Sequence, residues 1–438
     1  LIYFIGNSFN FAPKSSHLDN TINASIITIG DELLIGQTID TNSAFIGQEL
    51  NRIGIWVKRR VAVGDVWNDI WRALDEESRD SKLIIITGGL GPTADDITKP
   101  LLAEYFGGKL VVDENVLTHV KYLFEKVYRR PGPILERNLK QAEVPDVATV
   151  LHNARGSAPG MLFKKNDAIF ISLPGVPHEM KGLINDEVIP YLTKNLLLQA
   201  IVHRTAFTFG QGESMIAEKL IDFEAKLPAH IKLAYLPGYS MVKLRLTAKG
   251  SSKDEVEREL LPYFDELKTL VSEFLVSGED EPMEAVIGKI LLARNQTMGT
   301  AESCTGGYIA HLITGIAGSS AYYKGSVVSY ANDVKHDLLH VKQSTLDQFG
   351  AVSEETVREM AAGLLAELKV DYALATSGIM GPGGGSEEKP VGTVWIAVAS
   401  KEKVMTHKLN LRFDRQRNIT MAAANALNFL RKFILTNS

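Results

Sequence analysis

Leu83-Ile84-Ile85-Ile86-Thr87-Gly88-Gly89-Leu90-Gly91-Pro92-Thr93-Ala94-Asp95-Asp96 is the stretch whose reading decides the fold. A short apolar run that breaks into glycines reads as a buried strand feeding a turn and then a helix. Working upstream, Ala24–Ile29 reads as a strand ended by Gly30. Asn42–Arg52 reads as a helix, with Phe45, Ile46, Leu50 and Ile53 at helical spacing. Ile55–Val61 is a strand and Val66–Ser78 a helix. This βαβαβ order predicts a parallel sheet with helices on both faces, so the fold class is α/β. Downstream, Glu114–Arg129 is predicted helical and is stopped by Pro131-Gly132-Pro133. Strands follow near Gly160–Phe163 and Ala168–Ser172, and Pro174-Gly175-Val176-Pro177 leads into a last helix.

The rhythm then changes. Over 196–280 the order is strand, helix, two strands, helix, which predicts a small α+β module. It carries 10 Lys/Arg against 13 Asp/Glu, a balance that opposes phosphate-backbone binding. From Met283 the alternation returns, with strands at Thr297–Ala301, Ser326–Tyr330, Asp371–Thr376 and Thr393–Ala399. Helices are predicted at Glu284–Ala293, from Thr305, from Ser353 and over 415–435. The last would place Ile419, Ala423, Ala426, Leu427, Leu430 and Ile434 on one face. The expected division is an extension at 1–23, an α/β domain at 24–195, the α+β module at 196–280 and a second α/β domain at 283–438. The extension is expected to be poorly ordered. Leu1–Ile5 is too short, and lacks the basic flank, for a signal peptide.

With 438 residues, 45% hydrophobic and 23% charged, the chain has the make-up of a protein with sizeable cores. Its net charge of −5 gives no global field to attract nucleic acid. The single cysteine, Cys304, excludes an intrachain disulfide framework and fits a reducing cytoplasm. No apolar run is long enough to span a bilayer, so no membrane partner is expected.

Two turns carry chemistry. In the first, Gly88, Gly89 and Gly91 let a ligand approach the backbone, and Thr93 and the following helix start offer donors to a phosphate. Gly89-x-Gly91-x-x-Ala94, with Asp113 some way on, imitates a dinucleotide fingerprint. The loop follows the third strand, however, and Asp95 and Asp96 sit beside the anion position. Asp31 and Glu32 supply more carboxylate after the first strand, at the same sheet edge. Such carboxylates suit a divalent cation that bridges them to phosphate; the competing role for Asp31, Asp95 and Asp96 is helix capping.

The second turn, Thr300-Ala301-Glu302-Ser303-Cys304-Thr305-Gly306-Gly307, also joins a strand to a helix and exposes a side chain beside backbone N–H groups. Cys304 is a tempting nucleophile, although a lone cysteine among small residues is more often packed. Ser303 needs a base, and neither a Gly-x-Ser-x-Gly nor a Ser-x-x-Lys pattern supplies one.

Ala24–Gln37, Asp40-Thr41-Asn42-Ser43, the Thr87–Thr98 loop and Pro174–Met180 together resemble the N-terminal domain of the CinA (competence/damage-inducible) family. That domain is similar to molybdopterin-binding domains, and the resemblance implies a metal-dependent ADP-ribose pyrophosphatase. Ala301–Gly307, Gly318-Ser319-Ser320, Tyr330–Lys335, Gly350–Ser353, Ser377–Gly385 and Lys389–Val394 resemble the C-terminal domain of the same family. This implies nicotinamide-nucleotide amidase activity, which converts nicotinamide mononucleotide to nicotinate mononucleotide and ammonia. The resemblance maps a Ser/Lys mechanism onto Ser303 and Lys335, with Tyr330, Ser377 and Arg415 supporting the site or binding substrate. Thr305, Gly306, Gly307, Gly378, Gly383 and Gly384 complete the expected substrate contacts. From position alone, Lys335 could equally be a solvated helix lysine. A divalent ion is expected for the N-terminal domain and no cofactor for the amidase.

The module at 196–280, with Gly210-Gln211-Gly212-Glu213-Ser214, resembles the family's KH-type linking domain but lacks a Gly-x-x-Gly clamp. It is read as a spacer and oligomerisation element of a homodimer. The competing functions are a non-enzymatic competence or DNA-damage accessory protein, and an N-terminal domain that binds molybdopterin.

Overall fold

The computed structural model describes residues 22–93, 96–129 and 132–436, so most of the expected extension and Asp95 lie outside the described residues. The chain divides into two compact units. One comprises the chain up to Val202 with Lys249–Val256, and the other His203–Ala248 with Glu257 onward.

In the first unit the strands are β1 (Asn23–Ile29), β2 (Trp56–Val63), β3 (Leu83–Thr87), β4 (Leu110–Val112), β5 (Glu143–Pro145), β6 (Thr149–Leu151), β7 (Gly160–Lys165) and β8 (Ala168–Leu173). The main sheet has the order β2-β1-β3-β8-β7-β6, and β4 and β5 form a separate antiparallel pair. Side chains alternate across each strand, so Ile26 and Ile85 face one layer and Ile27 and Ile86 the other. The helix Thr41–Arg52 covers the first face through Ile46 and Leu50. The helix Trp67–Asp80 covers the second through Ile70 and Leu74.

The expected βαβαβ run forms a parallel core, and the sheet as a whole is mixed. β1, β2, β3 and β8 are parallel, whereas β7 and β6 run antiparallel. The cause is local: Asn166 and Asp167 both take positive φ, 50° and 63°, and so close a two-residue hairpin between β7 and β8. The predicted helix over 114–129 is also shortened. The α-helix spans Glu114–Tyr122, and Leu123–Val127 continues as a wider turn.

In the second unit, β9 (Ala200–Phe209, whose first residues belong to the first unit), β10 (Ile231–Gly238), β11 (Met241–Gly250) and β12 (Leu275–Ser277) form a four-stranded sheet in the order β10-β11-β9-β12. It carries the helices Glu213–Lys226 and Lys253–Leu270; the end of β11 and the first turn of the second helix count with the first unit. The second sheet has β13 (Met298–Glu302), β14 (Tyr323–Val328), β15 (Tyr372–Gly378), β16 (Thr393–Ala399) and β17 (Val404–Asn410), in the order β14-β13-β15-β16-β17. β13 is parallel to β14 and β15, and β16 and β17 are antiparallel. Helices Met283–Ala293 and Arg415–Thr436 pack on one face, and Glu354–Leu368 covers the other. The parallel trio β14-β13-β15 ends at a single edge, and parallel sheets bind their ligands beyond such edges.

Candidate functional sites

At the carboxyl edge of the first sheet the backbones crowd. A Cβ on Gly88 would meet the Ile29 carbonyl oxygen at 2.1 Å, so only glycine fits beside β1 there. The Thr87 hydroxyl donates to the Pro174 carbonyl at 3.0 Å. The Asn42 amide donates to the Gly175 carbonyl at 2.7 Å and to Thr87 Oγ1 at 3.3 Å. These bonds tie three loops around a cavity of about 110 Å³ that Thr28, Glu32, Asp40, Asn42, Thr87 and Gly175 line.

The acidic residues divide. Asp31 and Asp65 brace each other: the Asp31 N–H donates to Asp65 Oδ2 at 3.2 Å, and the Asp65 N–H to Asp31 Oδ1 at 3.3 Å. Asp96 has turned into the glycine loop, where it accepts the N–H groups of Gly91 (2.8 Å) and Thr93 (2.9 Å) and the Thr93 hydroxyl (2.5 Å). Asp113, the mimic of a dinucleotide-site acid, caps its helix by accepting from Asn115 and Val116. Among the described residues no three His, Cys, Asp or Glu side chains are grouped to hold a metal ion. The acids that could share a cation are the paired Asp31 and Asp65. Ions such as Mg²⁺, which take most other ligands from substrate phosphate and water, use sets of this kind. Asp65 was not anticipated; its only sequence signal is an acid just past the second strand.

In the second unit, the turn after β13 is built around a buried carboxylate. Glu302 is fully buried. Its Oε2 accepts the Thr305 hydroxyl (2.7 Å) and the N–H groups of Gly307 (3.1 Å) and Ile309 (3.0 Å), and its Oε1 accepts the Ala310 N–H (2.8 Å) and the Thr300 hydroxyl (3.3 Å). Negative charge at the start of the helix Tyr308–Thr314 is favourable, and each bond fixes part of the turn. Gly306 and Gly307 sit at φ 61° and 91° and complete the reversal. Ser303 is anchored to the neighbouring strand by its N–H, which donates to the Thr376 carbonyl at 2.9 Å.

A cavity of about 260 Å³ opens above this turn and brings together Ser303, Lys335, Tyr330, Ser377, Arg415 and Cys304. Gly378, Gly383 and Gly384 line it as well, together with Asn332, which the sequence reading passed over. Thr305, Gly306 and Gly307 do not line it. The Gly306 N–H donates to the Ser303 carbonyl and the Gly307 N–H to Glu302, so they support the turn from beneath.

Lys335, from the helix Asn332–Leu339, is 1% exposed, which removes the solvated-lysine alternative. Its Nζ donates to the Ser329 carbonyl at 2.7 Å. Burial lowers its pKa below the usual lysine value, and the nearby Asp333 carboxylate opposes that shift. Burial also pushes the Cys304 thiol up to about 12, so that group is a packed thiol and not a thiolate. Arg415 donates to the Gly381 carbonyl at 2.6 Å and to the Tyr330 hydroxyl at 2.9 Å, spanning the cavity wall. Ser377 donates to the Ala351 carbonyl at 2.6 Å.

Residues 25–194 match the family model of a probable molybdopterin binding domain, 203–276 that of the damage-inducible protein CinA KH domain, and 280–434 that of the CinA C-terminal domain. A CinA-like protein of Cytophaga hutchinsonii is 45% identical over 415 residues, covering 95% of this chain and 99% of the relative. The chain belongs to the CinA family. A putative competence-damage inducible protein of Acetivibrio thermocellus is 38% identical over 414 residues, covering 94% and 99% of the two CinA chains. Among solved CinA structures, a competence/damage inducible protein from Agrobacterium tumefaciens is 40% identical, covering 34% of this chain and 92% of its own, at a TM-score of 0.34. The three family models and the full-length relatives together cover the chain from residue 25 to 434 with short gaps. Among the described residues no helix is long and apolar enough to cross a membrane.

Proposed function

We propose that the second unit hydrolyses nicotinamide mononucleotide to nicotinate mononucleotide and ammonia. One observation carries this reading: Ser303 and a buried lysine whose pKa burial lowers, Lys335, line the same cavity, with Arg415 and Tyr330 on its wall. Neutral Lys335 takes the Ser303 proton, and Ser303 Oγ bonds to the carboxamide carbon. The C–N bond breaks, ammonia departs with the proton held by Lys335, and water then hydrolyses the ester to carboxylate and free serine. Arg415 pairs with the substrate phosphate and Tyr330 supports the site. The test is ammonia release from nicotinamide mononucleotide by the full chain and by Ser303→Ala. Unchanged release in that variant, or none in the parent, removes the assignment. A purely accessory role in competence or DNA damage predicts none.

We also propose that the first unit cleaves ADP-ribose to AMP and ribose 5-phosphate with a divalent ion. The facing Asp31 and Asp65 next to a glycine turn support this, because pyrophosphate beside carboxylates needs a cation to offset repulsion. The ion would supply charge neutralisation of the phosphates. Metal-dependent AMP release from ADP-ribose is the test, and its absence favours molybdopterin binding. We place the protein in the cytoplasm as a homodimer; light scattering reads the dimer.

A further inference from the structure

The glycine loop of the first unit was expected to cradle a phosphate, yet its own Asp96 fills that cradle, drawing on the N–H groups of Gly91 and Thr93 and on the Thr93 hydroxyl. A ligand phosphate therefore needs other donors, and they stand in a second cavity next to the same loop. This cavity, about 230 Å³, is lined by Thr93 and Asp96 on the loop side and by Lys99, Arg137, Lys140 and Gln141 elsewhere. Its volume is several times the roughly 30 Å³ share of one liquid water.

The walls carry unspent polar capacity. Lys99 is 7% exposed, and its ammonium donates to the main-chain carbonyls of Gln141 (3.0 Å) and Glu143 (3.3 Å), which leaves one of its three donors. Burial lowers its pKa to about 8, against the opposing charges of Glu143 and Asp96, so it keeps its proton at neutral pH. Gln141 is 2% exposed, and its buried side-chain Oε1 has no hydrogen-bond partner among the described residues. Arg137 makes no ion pair among the described residues, and Lys140 reaches only the exposed Glu136 at 3.6 Å. Against these three cations stand Glu143, also on the wall, and Asp96, whose charge the loop donors already satisfy.

We propose that this cavity is a sugar-phosphate subsite. The phosphate pairs with Lys99 and Arg137 and with Lys140 beside them, and Gln141 Oε1 accepts a sugar hydroxyl. The ligand's identity rests on the nucleotide-pyrophosphate reading of the first unit, but binding can be read without any cleavage.

The experiment is calorimetric titration of the full chain, with chelator present, using ribose 5-phosphate, AMP and inorganic phosphate as probes. Ribose 5-phosphate is expected to bind more tightly than inorganic phosphate, with affinity falling as salt rises. Arg137→Ser, at an exposed position that leaves folding intact, should weaken binding about tenfold, the scale of one charge-assisted pair. Gln141→Leu should abolish the preference for ribose 5-phosphate over inorganic phosphate. Failure of both sugar-phosphate probes to bind, or binding that Arg137→Ser leaves unchanged, overturns the subsite even if ADP-ribose is cleaved. Arg137-dependent binding without ADP-ribose cleavage upholds the subsite while removing the pyrophosphatase reading.

Discussion

Glu302→Gln tests whether a buried charge holds the nucleophile's turn. The carboxylate accepts five hydrogen bonds, three of them from main-chain N–H groups. Glutamine is nearly isosteric but presents only one oxygen. Its least costly placement keeps oxygen at the Oε2 position, which serves Thr305, Gly307 and Ile309, and turns the NH₂ toward the Ala310 N–H. That orphans one buried donor, at about 1–3 kcal/mol, and strips charge assistance of about 1 kcal/mol from each of the three remaining bonds. Relief from burying a charge offsets part of this, leaving about 2–4 kcal/mol. At about 2–4 °C per kcal/mol for a domain of this size, the melting transition of the unit should fall by roughly 10 °C. The assay is calorimetric melting alongside deamidation kinetics, in which kcat should drop more than KM rises, because the turn that Glu302 holds carries the nucleophile while most of the cavity wall comes from other segments. A variant that melts within about 2 °C of the parent and keeps its kcat would refute the account.

Ser303→Ala should abolish deamidation, whereas Cys304→Ala should retain most of it. The thiol should also resist alkylation at pH 8, since burial has pushed it to about 12; rapid labelling of the native protein would contradict this. For Lys335 the active form is neutral, so the deamidation rate should climb as pH rises through its lowered pKa and then level off, and Lys335→Arg should lose turnover while remaining folded. Stability follows the same sign: between the lowered folded value and 10.5 the unfolded chain binds more protons, so this group's contribution to stability rises with pH. A rate that falls over that range would remove Lys335 as the base. A chelator should stop ADP-ribose cleavage and leave deamidation nearly unchanged, and Asp31→Asn should mimic it; parallel loss of both activities would mean that the two reactions are not independent.

The parts of the fold that were legible are those whose side chains must choose a face. β1, β3 and the helix Thr41–Arg52 show their periods because Ile26, Ile85, Ile46 and Leu50 are driven into one core. What escaped is of two kinds. β17 is an edge strand whose residues are exposed or half-buried, so Val404–Asn410 carries no alternation to read. The β7–β8 hairpin turns on Asn166-Asp167, a pair less telling than Asn-Gly, so the antiparallel direction of β7 could not be read.

The sites follow a similar logic, with a difference in where the information lies. Ser303, Tyr330, Lys335, Ser377 and Arg415 are far apart in the chain; the parallel run of β14, β13 and β15 brings the first four to one edge, and the antiparallel return through β16 and β17 brings Arg415 there. No local spacing encodes that meeting, so the motifs had to be recognised as a set. Glu302 is the reverse case. An acid at the end of a strand whose five residues are all buried is a local signal that the chain must surround it with donors. Asp96 shows the limit of residue type as a guide. A carboxylate beside a glycine loop suggests a metal ligand, and the same negative charge makes it the best internal substitute for the phosphate that the loop would otherwise hold. Sequence cannot separate those roles, because both need an acid within reach of the same N–H groups; what separates them is whether the oxygens are already engaged. Here they are, so a phosphate beside this loop would have to draw on Lys99 and Arg137 instead.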